Sequence, residues 1–135
     1  MFRDIGIVDP AVQGVVTYRV TTFLTRRMPA GEYLHWFAVA PSGVIAAGAG
    51  LWLMEWFSQV SDPTTLRGNI LNVYTEPAFR RRGLARRLTE TALAACRERD
   101  IQTVILHASS QGRPLYESFG FKTGNEMRLI LNERA

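Results

Sequence analysis

Apolar residues recur along this chain with two different periods, and the changes of period predict its elements. After Asp9-Pro10, the residues Val12, Val15, Val16, Val20, Phe23 and Leu24 keep a helical spacing. This predicts an amphipathic helix to residue 27, with Asp9 as N-cap and proline in the first turn. Its β-branched content lowers helix propensity, so packing must support it. Met28-Pro29-Ala30-Gly31 ends it. Residues 33–40 predict a strand, Pro41-Ser42-Gly43 a hairpin turn, and residues 44–57 a longer strand. Ala46, Gly48 and Gly50 share one side of that strand, small enough for a helix or ligand to approach closely. Trp52, Met54 and Trp56 continue the same side, as a pocket wall or as core. Residues 58–68 contain Ser61-Asp62-Pro63-Thr64 and no period, which predicts a loop.

Residues 69–75 predict a third strand, apolar through Ile70, Leu71 and Val73. A helical period then returns, with Leu84, Ala85, Leu88, Ala92, Leu93, Ala95 and Cys96 turned inward. Arg86, Arg87, Glu90, Arg97 and Glu98 face out, and Arg86 and Glu90 stand at ion-pair spacing. Residues 102–108 predict a short strand, and Ser109 to Gly112 a turn with a hydroxyl cap. Residues 113–120 predict a short helix closed by a glycine. Residues 125–132 predict a last strand, with Met127, Leu129 and Leu131 alternating against Arg128. The strand–helix–strand in the middle is a βαβ unit, which requires parallel pairing and a right-handed crossover. The fold class is therefore a mixed α/β sheet (α+β), antiparallel in its first half and parallel across that unit. With no repeat, low-complexity tract or linker, residues 1–135 are expected to form a single domain.

Composition narrows the function classes. At 47% apolar and 21% charged the chain is ordinary for a globular protein. The net charge of +4 comes almost wholly from arginine, Lys122 being the lone lysine. That excess reads either as genome bias with a solvated basic face or as a functional patch. Cys96 is the only cysteine, which excludes an intrachain disulfide and a cysteine metal cluster, and its neighbours mark it as a small core residue. No metal is expected. The N-terminus lacks a signal pattern, Arg3 and Asp4 interrupting it early. No apolar run reaches the ~18–20 residues of a membrane span. No membrane association is expected, and a cytoplasmic location follows by default.

The candidate chemistry lies between residues 71 and 88. An apolar strand stops at Pro77, three arginines follow, and Gly83 opens a helix. First-turn amides without intrahelical partners, at the positive end of the helix dipole, make an anion site. A P-loop would need two glycines and a Gly-Lys-Ser/Thr ending, and a dinucleotide fingerprint three spaced glycines; Gly83 stands alone here. Arginines at a helix N-terminus oppose the dipole, so three of them there call for an anion.

Arg80-x-x-Gly83-x-Ala85, after a strand ending Val73-Tyr74-Thr75-Glu76-Pro77, resembles the acetyl-CoA-binding segment of GNAT N-acetyltransferases. Leu115-Tyr116-Glu117-Ser118-Phe119-Gly120-Phe121 resembles that family's Leu-Tyr-x-x-x-Gly-Phe segment. The two together, in order, with a strand–helix–strand between them, are specific, and the resemblance runs from about residue 32 to the C-terminus. It implies a GNAT-like acyl-CoA N-acyltransferase fold. It implies acetyl-CoA as co-substrate, its pantetheine arm against main-chain groups around Val73 and Thr75, and its pyrophosphate on the amides from Arg81 through Arg86. That set includes Arg82, Gly83, Leu84 and Ala85, and Arg80, Arg81 or Arg82 would reach the nucleotide phosphates. Tyr116 falls at the place of the family's general acid, and a phenol of ordinary pKa ~10 suits protonation of a departing thiolate.

The sequence departs from the family twice. Ser109 stands where many members carry an asparagine that contacts the cofactor arm. No strand precedes the first predicted helix, so the fold is expected to lack its first strand or to have lost its N-terminus. The missing edge would then be supplied by a partner subunit, as in a homodimer, or left open. The base that takes the amine's proton has no clear match; Glu55, Glu76 and His107 are the candidates, Glu55 also reading as an exposed strand end. His35 reads as structural.

The resemblance thus implies direct acetyl transfer from acetyl-CoA to a primary amine, on a small molecule or a peptide, in a ternary complex. Two alternatives stand beside it: a GNAT fold that binds CoA as a sensor or assembly subunit without catalysis, and a basic nucleic-acid-binding module. Against the latter, no aromatic-interleaved basic strand or groove-reading motif appears, and no nucleic-acid partner is expected.

Overall fold

A computed structural model describes residues 19, 21, 22 and 24–132. Residues 24–27 are helical and end where expected, Met28 N–H donating to the Leu24 carbonyl before the turn at Gly31. Most of the predicted first helix, and the question of a strand before it, lie outside the described residues.

Four strands form one sheet in the order β1-β2-β3-β4: β1 is Tyr33–Val39, β2 Ile45–Glu55, β3 Leu66–Thr75 and β4 Val104–Leu106. β1/β2 and β2/β3 pair antiparallel, and β3/β4 pair parallel, as the βαβ pattern requires. The β1–β2 hairpin turns at 41–43, where Gly43 takes φ +88° and donates to the Ala40 carbonyl. β2 stops at Glu55, short of Trp56 and Phe57, while β3 starts three residues earlier than its apolar run suggests. Helix α1, Leu84–Glu98, crosses between β3 and β4, and the short helix α2, Arg113–Ser118, follows β4.

Alternation along the strands divides the sheet into two faces. One face packs Leu51 and Ile70 against Ala92, Ala95 and Cys96 of α1, with Leu34, Trp36, Leu53, Val73 and Val104 at the margin. Burying a side chain such as Leu51 or Ile70 contributes ~1.5–3 kcal/mol. Small residues let helix and sheet meet closely: a Cβ on Gly68 would stand 3.0 Å from Cys96 Sγ. The one buried polar residue of α1, Thr89, satisfies its hydroxyl on the Ala85 carbonyl at 2.7 Å.

Three expectations are corrected. Gly48 and Gly50 do not make room for a helix or ligand; the side chains of His35 and Tyr33, from the neighbouring strand on the same face, fill that space. Arg86 does not turn along the helix toward Glu90 but donates to Ser118 Oγ at 3.0 Å and lies over the Phe119 ring, tying α1 to α2. Residues 125–132 form no strand: Met127, Leu129 and Leu131 are exposed and, among the described residues, leave the outer edge of β4 unpaired, since alternation alone does not make a strand. Among the described residues no helix is long and apolar enough to cross a membrane.

Candidate active site

The β3/β4 ladder is short. It runs from Gly68↔Val104 to Ile70↔Leu106 and goes no further. Beyond it the two strands part, β3 continuing to Thr75 on its pairing with β2 alone. The register shows how β3 turns aside. Gly48 faces Tyr74 and Gly50 faces Leu71, so Asn72 and Val73 together oppose Ala49, a bulge that bends the strand. Asn72 accordingly takes φ +55°.

The parting opens a cleft of ≈ 840 Å³ between β3 on one side and the segment after β4 on the other. Val73 packs its side chain against the core and is among the residues that line the cleft. Beyond Thr75 a single 3₁₀ turn, Pro77–Phe79, swings the chain toward α1. Arg81 takes φ +65° and Gly83 φ +75°, so two left-handed residues shape the arginine turn. Space around a Cβ on Gly83 would be open, so the dihedral, rather than crowding, requires the glycine. The first intrahelical bond of α1 is Arg87 N–H to the Gly83 carbonyl, which leaves the amides of Leu84, Ala85 and Arg86 without helical acceptors. Neither a side-chain cap nor an acidic first-turn residue occupies that end.

The arginines divide. Arg80 folds back, its Nε donating to the Thr75 carbonyl at 3.2 Å, and so ties the turn to the strand end. Arg80, Arg81 and Arg86 all line the cleft with Gly83, Leu84 and Ala85. Arg82 stands apart: its guanidinium lies 5.2 Å from the centre of the Phe79 ring, and it does not line the cleft. Facing the turn across the cleft are His107, Ser109 and Tyr116. Ser109 Oγ accepts from Gly112 N–H at 3.0 Å, so its hydroxyl serves the turn that starts α2. Gly120, at φ +99°, closes α2, with Phe121 N–H returning to the Tyr116 carbonyl. Tyr116 is thereby fixed on both sides, its ring edge-on to Phe121 at 6.0 Å and 9% exposed. Burial pushes its phenol above the ordinary value, which keeps the proton on oxygen at neutral pH.

Of the three candidate bases, His107 alone lines this cleft. Glu76 follows β3 with its N–H on the Ala46 carbonyl and is half-buried. Glu55 pairs with Leu66, at the end of the sheet away from Thr75, and is exposed.

A strand that splays at a bulge, a turn of left-handed residues and a helix end with free amides suit an extended ligand with an anionic end. The comparisons with known proteins agree. The model of the acetyltransferase (GNAT) domain matches residues 9–129. The chain belongs to the GNAT family. A glucosamine 6-phosphate N-acetyltransferase of Trypanosoma brucei brucei is 28% identical over 123 residues, 90% of this chain and 80% of its own length. The crystal structure of a GCN5-related N-acetyltransferase from Ralstonia eutropha JMP134 superposes with a TM-score of 0.85 at 34% identity. That match covers 97% of this chain and 85% of the other. A Clostridium acetobutylicum protein, described as a predicted acetyltransferase and solved with acetyl-CoA, gives 0.82 at 27% identity, over 93% of this chain and 79% of its own. These neighbours carry the GNAT fold that the two short segments implied.

The sequence leaves two features of this GNAT site unseen. The bulge at Asn72 carries no signal in its own strand, since it exists only relative to β2. The Tyr33–His35 pair beneath it gives only the bland reading of a structural histidine; the glycines at alternate positions of β2 are the available clue.

Proposed function

We propose that this GNAT protein transfers the acetyl group of acetyl-CoA to a primary amine bound in the same cleft. The single observation that carries the reading is Tyr116, a buried phenol that lines the same cleft as residues 70–75 of β3. Acetyl-CoA would supply the acyl group as a thioester. The amides of Leu84, Ala85 and Arg86, with Arg81 beside them, would take its pyrophosphate, and the main chain from Val73 to Thr75 its pantetheine arm. Arg80 braces this turn from the cleft wall, and Arg82 does not line the cleft.

The cleft orients amine and thioester together, which replaces a bimolecular encounter by a positioned one. N–H groups near Val73 donate to the carbonyl oxygen as charge develops on it. The amine nitrogen forms the new C–N bond, the C–S bond breaks, and Tyr116 gives its proton to the departing sulfur. His107 or solvent takes the amine's proton. Glucosamine 6-phosphate is the first acceptor to examine, because a relative 28% identical to this chain is named for it.

The test is a calorimetric titration of the full chain with acetyl-CoA, followed by thiol release over a panel of amino-sugar, polyamine and peptide amines. Binding with release for at least one amine is expected. No heat and no competition by CoA would sink the reading; binding with no release for any amine would favour a CoA-binding sensor.

A further inference from the structure

The bulge in β3 is where the cleft begins, and something outside the cleft holds it. Tyr33 and His35 alternate with Leu34 and Trp36, so they stand on the face of the sheet away from α1. Tyr33 is 1% exposed, and its hydroxyl occupies the space that a Cβ on Gly50 would need. His35 lies along the same row, its Nε2 2.8 Å from where a Cβ on Gly48 would stand and its ring 4.6 Å from that of Phe37. The glycines of β2 thus admit these two rings.

The Tyr33 oxygen has a neighbour on either side. Asn72 Nδ2 donates to it at 3.0 Å, and it shares a hydrogen bond with His35 Nδ1 at 3.0 Å whose direction follows the histidine tautomer. The hydroxyl oxygen accepts on two lone pairs, so it takes the Asn72 proton whichever ring nitrogen of neutral His35 carries the hydrogen. Burial favours that neutral form, lowering the His35 pKa. The far end of this chain of bonds is Asn72, held at φ +55° within the bulge. Asparagine enters that region more readily than most residues, and mostly where its side chain finds a partner.

We propose that Tyr33 is the positioning residue of the acetyl-transfer cleft: oriented by His35, it clamps Asn72 in the left-handed conformation and so aims the main-chain groups of residues 71–75. The catalytic half of this inference rests on the proposed acetyl transfer; the structural half does not. Tyr33 reaches the reaction only through Asn72 and the strand.

The experiment compares the full chain with Tyr33→Phe, in the parent and in an Asn72→Gly background, because glycine takes a left-handed dihedral without an anchor. In the parent background, Tyr33→Phe is expected to move the backbone amide resonances of residues 71–74 and speed their hydrogen exchange. It should also lower kcat about tenfold or more, with a smaller change in KM for acetyl-CoA, since misaimed groups cost rate more than binding. In the Asn72→Gly background the same change should cost less than roughly twofold. Unchanged amide resonances, or an equal loss of kcat in both backgrounds, would overturn the proposal. Should Tyr33→Phe lose its cooperative melt, Asn72→Ala breaks the same clamp from the other side and must give the same amide shifts. A parent that transfers to no amine defeats the proposed function, while the amide resonances still decide the clamp.

Discussion

Arg80 is bonded to Thr75: its Nε reaches back five residues to donate to the strand's last carbonyl. The turn that follows is therefore braced by the residue the family motif places first, while Arg82, two positions on, is spent on Phe79. Arg80→Ala should weaken acetyl-CoA binding about threefold to tenfold, the range expected for the net loss of one ordinary hydrogen bond. Arg82→Ala should change it by less than roughly twofold, as surface substitutions away from a site generally do. Calorimetric affinities for the two variants check the division.

Gly68 and Cys96 set the distance between sheet and helix. A methyl on Gly68 would press on Cys96 Sγ at 3.0 Å and on Leu51 Cδ1 at 3.2 Å. Overpacking of this kind costs about 1–3 kcal/mol, so Gly68→Ala should lower the urea midpoint accordingly. Cys96→Ala in the same chain should return part of that loss, a coupling of opposite sign to simple addition. Strictly additive losses would show that the helix does not seat on Gly68.

Asp62 ties the loop after β2 to the residue before β4. Its carboxylate accepts from the Thr103 hydroxyl, and from Thr64 through both N–H and hydroxyl. These bonds, the Thr103 one foremost, hold its pKa below the ordinary value. The folded pKa is depressed, so its contribution is present above the unfolded value of about 3.9 and fades as pH falls through the folded one. Asp62→Asn should therefore melt below the parent at neutral pH, with the gap closing under acid conditions. A gap that is constant down to pH ~2 would contradict the linkage.

How much of this fold and site is legible in the amino-acid sequence depends on where the determining contacts lie. The arginine turn, α1 and the closed helix with Tyr116 are local in sequence, each with its own start and stop signals, and they are readable. So is the parallel β3/β4 pairing, because a helix between two strands allows little else. What stays hidden depends on partners distant in sequence. Gly48 and Gly50 take their meaning from Tyr33 and His35 across a hairpin, and Asn72 is a bulge residue only relative to Ala49. Arg82 looks identical to Arg80 and Arg81 until Phe79 is placed beside it. Met127, Leu129 and Leu131 alternate as a strand would, yet they lie exposed beside a sheet whose β4 edge stays open among the described residues, since pattern alone does not decide pairing.

Tyr116 concentrates the account. Removing its hydroxyl leaves the ring and its packing on Phe121 in place, and takes away only the proton meant for the departing sulfur. The deciding measurement is thiol release by the parent and Tyr116→Phe, each saturated with acetyl-CoA and an accepted amine, alongside the calorimetric affinity for acetyl-CoA. The expected result is a loss of about 100-fold or more in kcat at neutral pH, with acetyl-CoA affinity preserved. A variant that releases thiol at the parent's rate across the pH range would contradict the assignment of the proton to Tyr116.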